Sequence, residues 1–214
     1  MYQMLQYNLP VRVDKIDSLS VNKVAKGRID LIVLRHMARQ LLLTLLTMEH
    51  QASMMNFPVV YELNERQLCL HRIVFYRPEA LHAEETLSFV GFVSGRQPTN
   101  DHTLNEELFQ VDRQMLEKLK HIPGLLAYSS LELRPGRWYN LVMMQTLDVK
   151  ANLKGIDMHQ HAAYHLAPRT YDWIRIHSGI FPGGLSKNVP QLLKTKHYAF
   201  QHETNNFQMH EFVY

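Results

Sequence analysis

Histidine is the residue type whose spacing most suggests chemistry in this chain. His159, His161, His165 and His177 lie close together in the C-terminal third of the sequence. On a helix, His161 and His165 would lie four residues apart on one face, a separation that lets two imidazoles bind one metal ion. The spacing identifies no third ligand. A metal or haem site at His161 and His165 therefore stands beside the alternative that these histidines are exposed or hydrogen-bonded.

The segment from Tyr171 to His177 suggests acid–base chemistry. Tyr171, Trp173, Arg175 and His177 occupy every second position, so in an extended chain they would share one face. In a helix, Tyr171 and Arg175 would group together, and His177 would lie apart from Trp173. Because imidazole titrates near neutral pH, we predict a catalytic site in which His177 abstracts a substrate proton and Asn140 or Arg175 stabilises the resulting anion. Tyr171 and Trp173 would contact the substrate or, alternatively, belong to the core or an interface.

A second aromatic and polar cluster lies at the start of a predicted strand. Trp138 and Asn140 alternate along it, so both are expected to face one cavity. Trp138 would supply an apolar wall for a substrate, and the Asn140 amide would bind a carbonyl or an anion. The alternative role of Trp138 is to anchor a hairpin over the core.

The composition is that of an ordinary globular protein. The chain has 214 residues, of which 46% are hydrophobic and 20% charged, with a formal net charge of +3. This length is enough to bury a sizeable core. The basic residues are scattered, so neither nucleic acid nor an anionic membrane is expected as a partner. The sequence contains no phosphate-binding glycine loop and no serine nucleophile elbow.

Cellular location is predicted from three features. Cys69 is the only cysteine, so no intrachain disulfide is expected. The first residues lack the pattern of a secretory signal, and a cytoplasmic location is therefore expected. The apolar stretch Ile29–Met48 is interrupted by Asp30, Arg35 and Arg39, which favours a buried helix over a membrane span.

Residues 1–80 are expected to form a region of their own. Weak alternation over residues 11–24 predicts a strand. Apolar residues at spacings of three and four predict a helix over about residues 30–53. Two β-forming runs, at residues 57–63 and 67–75, predict a hairpin.

Residues 81–214 are expected to form the main domain. The pattern predicts strand 87–93, helix 105–121, strands 125–133 and 138–146 joined as a hairpin, helix 157–167 and strand 191–200. This is the β-α-β-β-α-β order of a ferredoxin-like α+β fold. Residues 170–180 are expected to form a further helix or turn, or to be extended.

The element order resembles that of the dimeric α+β barrel superfamily, which includes antibiotic-biosynthesis and haem-degrading monooxygenases. The resemblance covers residues 87–200, including the strand Phe89–Val93, the helix that stops at Pro123-Gly124, and the hairpin with Trp138–Val142. It implies a pocket between sheet and helices, a homodimer, and a cofactor-independent monooxygenase-like enzyme or a binding protein for an apolar or aromatic molecule.

Residues 1–80 have no counterpart in short members of that superfamily. They are expected to form an added cap or a degenerate second copy of the fold, and a second copy would replace the homodimer. Two other functions stay open: a haem or metal-binding protein that uses the histidine cluster, and a non-catalytic assembly or interaction protein.

Overall fold

The computed structural model describes residues 18–48, 58–65, 69–96, 101–154, 157–201 and 206–214, with side chains described from Gly27 onward except that of Lys154. The helices are α1 (Ser18–Met48), α2 (Pro78–Ala83), α3 (His102–Leu119), α4 (Val149–Lys154), α5 (Asp157–His161), α6 (Ala167–Thr170) and α7 (Gly184–Lys187), and a π-helical turn (Ala162–Leu166) joins α5 to α6. The strands are β1 (Val59–Glu65), β2 (Cys69–Phe75), β3 (Thr86–Gly95), β4 (Leu125–Arg134), β5 (Arg137–Met144), β6 (Trp173–Pro182), β7 (Gln191–Gln201) and β8 (Asn206–Val213).

The strands form one sheet in the order β1-β2-β4-β5-β3-β6-β7-β8. Every neighbouring pair is antiparallel. The general α+β class is confirmed, and both predicted hairpins form. Because β2 pairs with β4, the sheet continues across the predicted boundary at residue 80. The described part of residues 1–80 contains one long helix, one hairpin and the start of α2, in place of the β-α-β-β-α-β order expected of a second copy.

Two local predictions are corrected, and one of the alternatives for residues 170–180 is selected. Residues 18–24 of the predicted strand 11–24 belong to α1, while residues 11–17 lie outside the described residues, as do residues 49–53 of the predicted helix 30–53. The segment 170–180 is extended from Trp173 onward. The helix predicted over residues 157–167 contains a π-helical turn just before Pro168, whose missing N–H interrupts the regular hydrogen-bond ladder.

The two faces of the sheet carry different helices. α1, α2 and α7 cover one face, which we call the α1 face. α3 to α6 lie on the opposite face, the α3 face. The main hydrophobic core lies on the α1 face, and a smaller one joins the C-terminal end of α3 and α4 to the other side of the sheet.

α1 lies close to the sheet because its inner face is apolar and meets a glycine. Leu34, Met37, Leu41 and Leu45 are at most 2% exposed, and burying each such side chain contributes about 1.5–3 kcal/mol. Leu34 lies directly over Gly91 of β3, where an added Cβ would come within 2.5 Å of the Leu34 Cδ1 atom. The missing side chain at Gly91 therefore provides the space that Leu34 fills.

We expect Gly91→Val to destabilise the protein by about 1–3 kcal/mol, because the new side chain would overlap Leu34. The free energy of unfolding is measured by urea denaturation. In the double variant Gly91→Val/Leu34→Ala the overlap is removed, so its destabilisation should be smaller than the sum of the two single effects. Strictly additive effects would show that the two positions are not in contact.

Candidate functional site

The sheet divides the predicted site residues between its two faces. Arg175 and His177 point to the α1 face, where both contact Asp30 of α1. Asn140 points to the α3 face and is hydrogen-bonded to Tyr128. A single site containing His177, Arg175 and Asn140 is therefore not formed, because a layer of backbone separates the first two side chains from the third.

The alternation predicted for an extended segment from Tyr171 to His177 is observed only from Trp173 onward. Trp173 shares the α1 face with Arg175 and His177, as expected. Tyr171 precedes β6 and packs instead against Phe92 on the α3 face, with ring centroids 5.8 Å apart. Trp138 lies on the α3 face with Asn140, as their alternation predicted.

The α1 face contains a buried ionic network centred on Asp30, which is 1% exposed. Arg175 donates to both carboxylate oxygens, from Nε to Oδ2 at 2.5 Å and from Nη2 to Oδ1 at 2.8 Å. The Nε2 atom of His177 lies 3.0 Å from Oδ2, and the Tyr139 hydroxyl donates to Oδ1 at 3.2 Å. Burial alone would raise the pKa of Asp30, but hydrogen bonds from His177 and Arg175 hold that pKa below its usual value. Asp30 is therefore ionised at neutral pH.

His177 has a structural environment in place of the predicted catalytic one. Its side chain is fully buried, and its Nδ1 atom lies 2.8 Å from the Thr195 hydroxyl, which in turn lies 3.2 Å from the Tyr214 hydroxyl. Both ring nitrogens thus have partners inside the protein. A substrate proton would reach His177 only after α1 had moved away, so the geometry assigns His177 to anchoring α1.

Trp173 is likewise occupied by its own neighbours. The guanidinium groups of Arg137 and Arg175 lie 4.2 and 4.1 Å from the Trp173 ring centroid. Such cation–π contacts contribute about 0.5–2 kcal/mol each. The predicted substrate contact at Trp173 is replaced here by packing that holds Arg175 in place beside Asp30.

A second polar cluster on the α1 face has the order of groups found in a serine–histidine–acid triad. His71 is hydrogen-bonded through Nδ1 to Glu65, and its Nε2 atom lies 2.6 Å from Oγ of Ser129. The other Glu65 oxygen lies 2.6 Å from Nε2 of His36 in α1. Ser129 and His71 are both fully buried, and burial lowers the pKa of His71. Because no acyl substrate can reach the serine hydroxyl, this cluster is a second polar anchor for α1.

The α3 face differs, because several side chains at the centre of the sheet stay partly exposed there. Val90, Phe92, Asn140, Val142 and Ile176 are partly exposed, whereas Phe89 and Leu141 on the α1 face are fully buried. Leu108 and Val111 of α3 are also partly exposed. We call this region of the α3 face the helix-side cleft. Its floor consists of Val90, Phe92, Asn140, Val142 and Ile176.

One wall of the helix-side cleft is polar. Arg72 of β2 donates from Nη2 to both carboxylate oxygens of Asp112 in α3, at 2.9 and 2.7 Å. The Tyr128 hydroxyl donates to Oδ1 of Asn140 at 3.1 Å, and the Tyr128 ring lies 5.8 Å from the Arg72 guanidinium. Burial raises the pKa of Tyr128 to about 12, so its hydroxyl is protonated at neutral pH.

The polar wall contains hydrogen-bond donors that have no partner among the described residues. Among the described residues, Nε of Arg72 is buried without a hydrogen-bond partner. The Asn140 amide accepts from Tyr128, and its Nδ2 atom has no partner in the described part of the chain. A ligand atom that accepts hydrogen bonds would match these donors.

The histidines predicted to bind metal lie beside the helix-side cleft, in α5 and the π-helical turn. His161 contacts Glu107 of α3 at 3.1 Å, and its ring stacks on that of His165 with centroids 5.4 Å apart. Across the described ranges, no group of three or more His, Cys, Asp or Glu side chains is arranged to hold a metal ion. The metal-ion alternative therefore gains no third ligand from the described residues, and His161 ties α5 to α3.

An open depression of about 520 Å³ lies on the α1 face, beside α2 and α7. It is lined by Leu42 and by residues 81–86 and 183–187. None of the residues predicted from the sequence to act in a site lies there. Its location separates it from both polar networks and from the helix-side cleft.

Asp30→Asn should lower the free energy of unfolding by about 3–5 kcal/mol at pH 7, because it leaves Arg175 buried without its counter-charge. Since the pKa of Asp30 is lowered in the folded state, the stabilisation is fully present above the unfolded value near 3.8 and is lost as the pH falls through the folded-state pKa. The difference between wild type and variant, measured by urea denaturation, should therefore shrink below about pH 4.

Glu117→Gln provides the matched control, since Glu117 forms an exposed pair with Lys120 at 2.6 Å. Its effect should be much smaller than that of Asp30→Asn, because water screens an exposed ion pair. Equal effects of the two substitutions would show that the Asp30 network does not anchor α1.

No protein-family model, no curated protein and no solved structure matched this chain.

Proposed function

We propose that this protein binds a small, mainly apolar or aromatic molecule in the helix-side cleft, and that β3, α3, β4, β5, α4–α6 and β6 form a ferredoxin-like unit. The strand order β4-β5-β3-β6 within the sheet supports the ferredoxin-like unit. In this order the two helical connections, α3 and α4–α6, lie on one face of the four strands. In this arrangement β6 is the last strand of the unit. The strand predicted over residues 191–200, observed as β7, extends the sheet beyond it.

The observation that carries the binding proposal is the partial exposure of apolar side chains in the middle of the sheet. Val90, Phe92, Val142 and Ile176 lie on central strands beneath a helical layer and yet remain partly exposed. Exposed apolar area costs about 25 cal/mol per Å² relative to burial. A concave, mainly apolar surface with a few polar groups is the usual form of a small-molecule site.

The polar wall favours a ligand that carries an acceptor oxygen. Nε of Arg72 and Nδ2 of Asn140 are donors without protein partners among the described residues. Of the two, Nε of Arg72 is buried, and an unsatisfied buried donor costs about 1–3 kcal/mol. A carbonyl, phenolate or acidic oxygen on an otherwise apolar molecule would satisfy them. Asn140 then keeps its predicted role as a donor to the ligand, with Trp138 and Tyr171 as aromatic neighbours.

Binding is favoured over oxygenase catalysis because the predicted base is elsewhere. His177 lies on the α1 face with both ring nitrogens occupied. The carboxylate of Asp112, which lies in the polar wall, is paired with Arg72. A cofactor-independent oxygenase needs a group in the cleft that accepts a substrate proton, so the proposal stops at binding.

The aromatic probe 1-anilinonaphthalene-8-sulfonate, which combines an apolar body with an anionic group, should bind saturably at one site per chain. Val142→Trp fills the floor of the cleft and should weaken binding at least tenfold, as measured by probe fluorescence. The same substitution at the exposed Val60 of β1 is the control and should leave binding unchanged. Retained affinity in Val142→Trp, with its unfolding temperature unaltered, would rule out the cleft as the binding site.

Asn140→Asp tests the polar wall separately. It replaces a donor by a carboxylate of the same shape and should weaken binding of the anionic probe about tenfold, which corresponds to about 1.4 kcal/mol. N-phenyl-1-naphthylamine, which has the same rings without the sulfonate, should bind Asn140→Asp and wild type alike. Asn64→Asp on the exposed side of β1 makes the same charge change and should affect neither probe. If the two probes respond equally to Asn140→Asp, the donors of Arg72 and Asn140 do not select an anion.

A further inference from the structure

The outward side of α1 carries an exposed apolar stripe that no described element covers. Ile29, Ile32, Leu43 and Leu46 are 59%, 70%, 48% and 44% exposed. They lie on the side of the helix opposite the leucines that pack on the sheet. We call these four residues, with His36 and Arg39 between them, the outer stripe. Clustered exposed apolar residues on one helix mark an interaction surface more often than isolated ones do.

The spacing of the outer stripe is that of a coiled-coil seam. Successive members lie three and then four residues apart, as the a and d positions of a heptad do. Residues 29 to 46 span about 26 Å along the helix axis at 1.5 Å per residue. The segment Gly27–Met48 is also apolar enough to cross a membrane, with a mean hydropathy of 1.3. Its inner face, however, is held on the sheet by Asp30.

The stripe has the same pattern when it is read from either end. Positions 29 and 46, 32 and 43, and 36 and 39 are equally distant from the midpoint between residues 37 and 38. A twofold axis through that midpoint would place Ile29 against Leu46 and Ile32 against Leu43 of an antiparallel copy. Such self-complementarity is what a twofold dimer interface requires. We propose that two copies of this chain associate through antiparallel pairing of their outer stripes.

Charge complementarity at the centre of the stripe supports a second copy as the occupant. His36 is held by Glu65, whose carboxylate stays partly exposed beside it. Hydrogen bonds from His36 and His71 keep the pKa of Glu65 below its usual value despite the opposing effect of burial, so the carboxylate is ionised at neutral pH. Antiparallel pairing would bring the partner's Arg39 to the Glu65 carboxylate. Because of the twofold axis, the dimer would contain two such ion pairs.

This interface differs from the one implied by the resemblance to dimeric α+β barrels. Pairing through sheets needs a face free of helices, and here α1 covers that face from within the same chain. The pairing proposed here uses the surface that α1 itself presents. It does not depend on ligand binding in the helix-side cleft, which lies on the opposite side of the sheet.

Sedimentation equilibrium of the full chain tests the association. Wild type should form a concentration-dependent dimer, and Ile32→Lys/Leu43→Lys should be a monomer with unchanged circular dichroism. Phe109→Lys/Tyr164→Lys makes the same change at residues that are 58% and 76% exposed elsewhere on the surface, and this control should remain dimeric. A monomeric wild type at about 100 μM, or a dimeric Ile32→Lys/Leu43→Lys variant, would overturn the proposal.

Disulfide trapping tests the antiparallel arrangement, in a Cys69→Ala background. Residues 32 and 43 of opposite chains should meet, whereas the two copies of residue 32 should lie 11 residues, or about 16 Å, apart along the axis. A disulfide needs Cα atoms within about 7 Å. Oxidation of a mixture of Ile32→Cys and Leu43→Cys chains should therefore link them, and neither variant should link to itself. Self-linking of Ile32→Cys would instead indicate parallel pairing and contradict the proposal.

Arg39 within the stripe and Arg28 and Arg35 beside it make an anionic membrane the rival occupant. Co-sedimentation with phosphatidylserine-containing vesicles separates the two. We expect no stripe-dependent binding at physiological salt. Vesicle binding that is lost in Ile32→Lys/Leu43→Lys, together with a monomeric wild type, would assign the stripe to a membrane surface and overturn the dimer.

Discussion

The ion pair between Asp30 and Arg175 fixes how the rest of the molecule is arranged, because it ties the longest helix to a central part of the sheet. The contact joins residues that are far apart in the sequence, and both side chains are buried. Hydrophobic packing by Leu34, Met37 and Leu41 is strong but tolerates small rotations of the helix. A buried carboxylate with three hydrogen-bond partners does not tolerate them, since any displacement leaves charges unpaired.

A second polar anchor acts further along the same helix. His36 meets Glu65, and Glu65 meets His71. The two anchors lie on different strands, the first on β5 and β6 and the second on β1 and β2, with the leucine core around them. Together they set both the axial position and the rotation of α1. The α1 face is thereby closed around the two anchors, apart from the depression lined by residues 81–86 and 183–187. On the α3 face, α3 and α5 meet through Glu107 and His161 without filling the centre of the sheet.

The sequence was a good guide to individual elements and a poor guide to how they meet. Alternation placed Trp138 with Asn140 and Trp173 with His177, because side chains in a strand alternate by local geometry alone. Alternation within one strand does not tell which side chains of a neighbouring strand lie on the same face of the sheet. The sequence therefore predicts one site from Asn140 and His177, although the sheet separates these two side chains. Asp30 gave a local signal, a charge within an apolar helix, but its partner lies on a strand 145 positions later. The Glu65–His71–Ser129 cluster had no local signal, since pairing between three strands creates it.

The two polar anchors also determine what α1 presents to the outside. A helix has one rotation at which Asp30 reaches Arg175 and His36 reaches Glu65, and at that rotation residues 29, 32, 43 and 46 necessarily point away from the sheet. Four large apolar side chains are therefore exposed as a consequence of satisfying buried charges within the fold. A helix with apolar residues on both sides would ordinarily lie between two packed layers. Here the sheet provides one layer, and a twofold-related copy of α1 has the spacing, the symmetry and the central charges to provide the other.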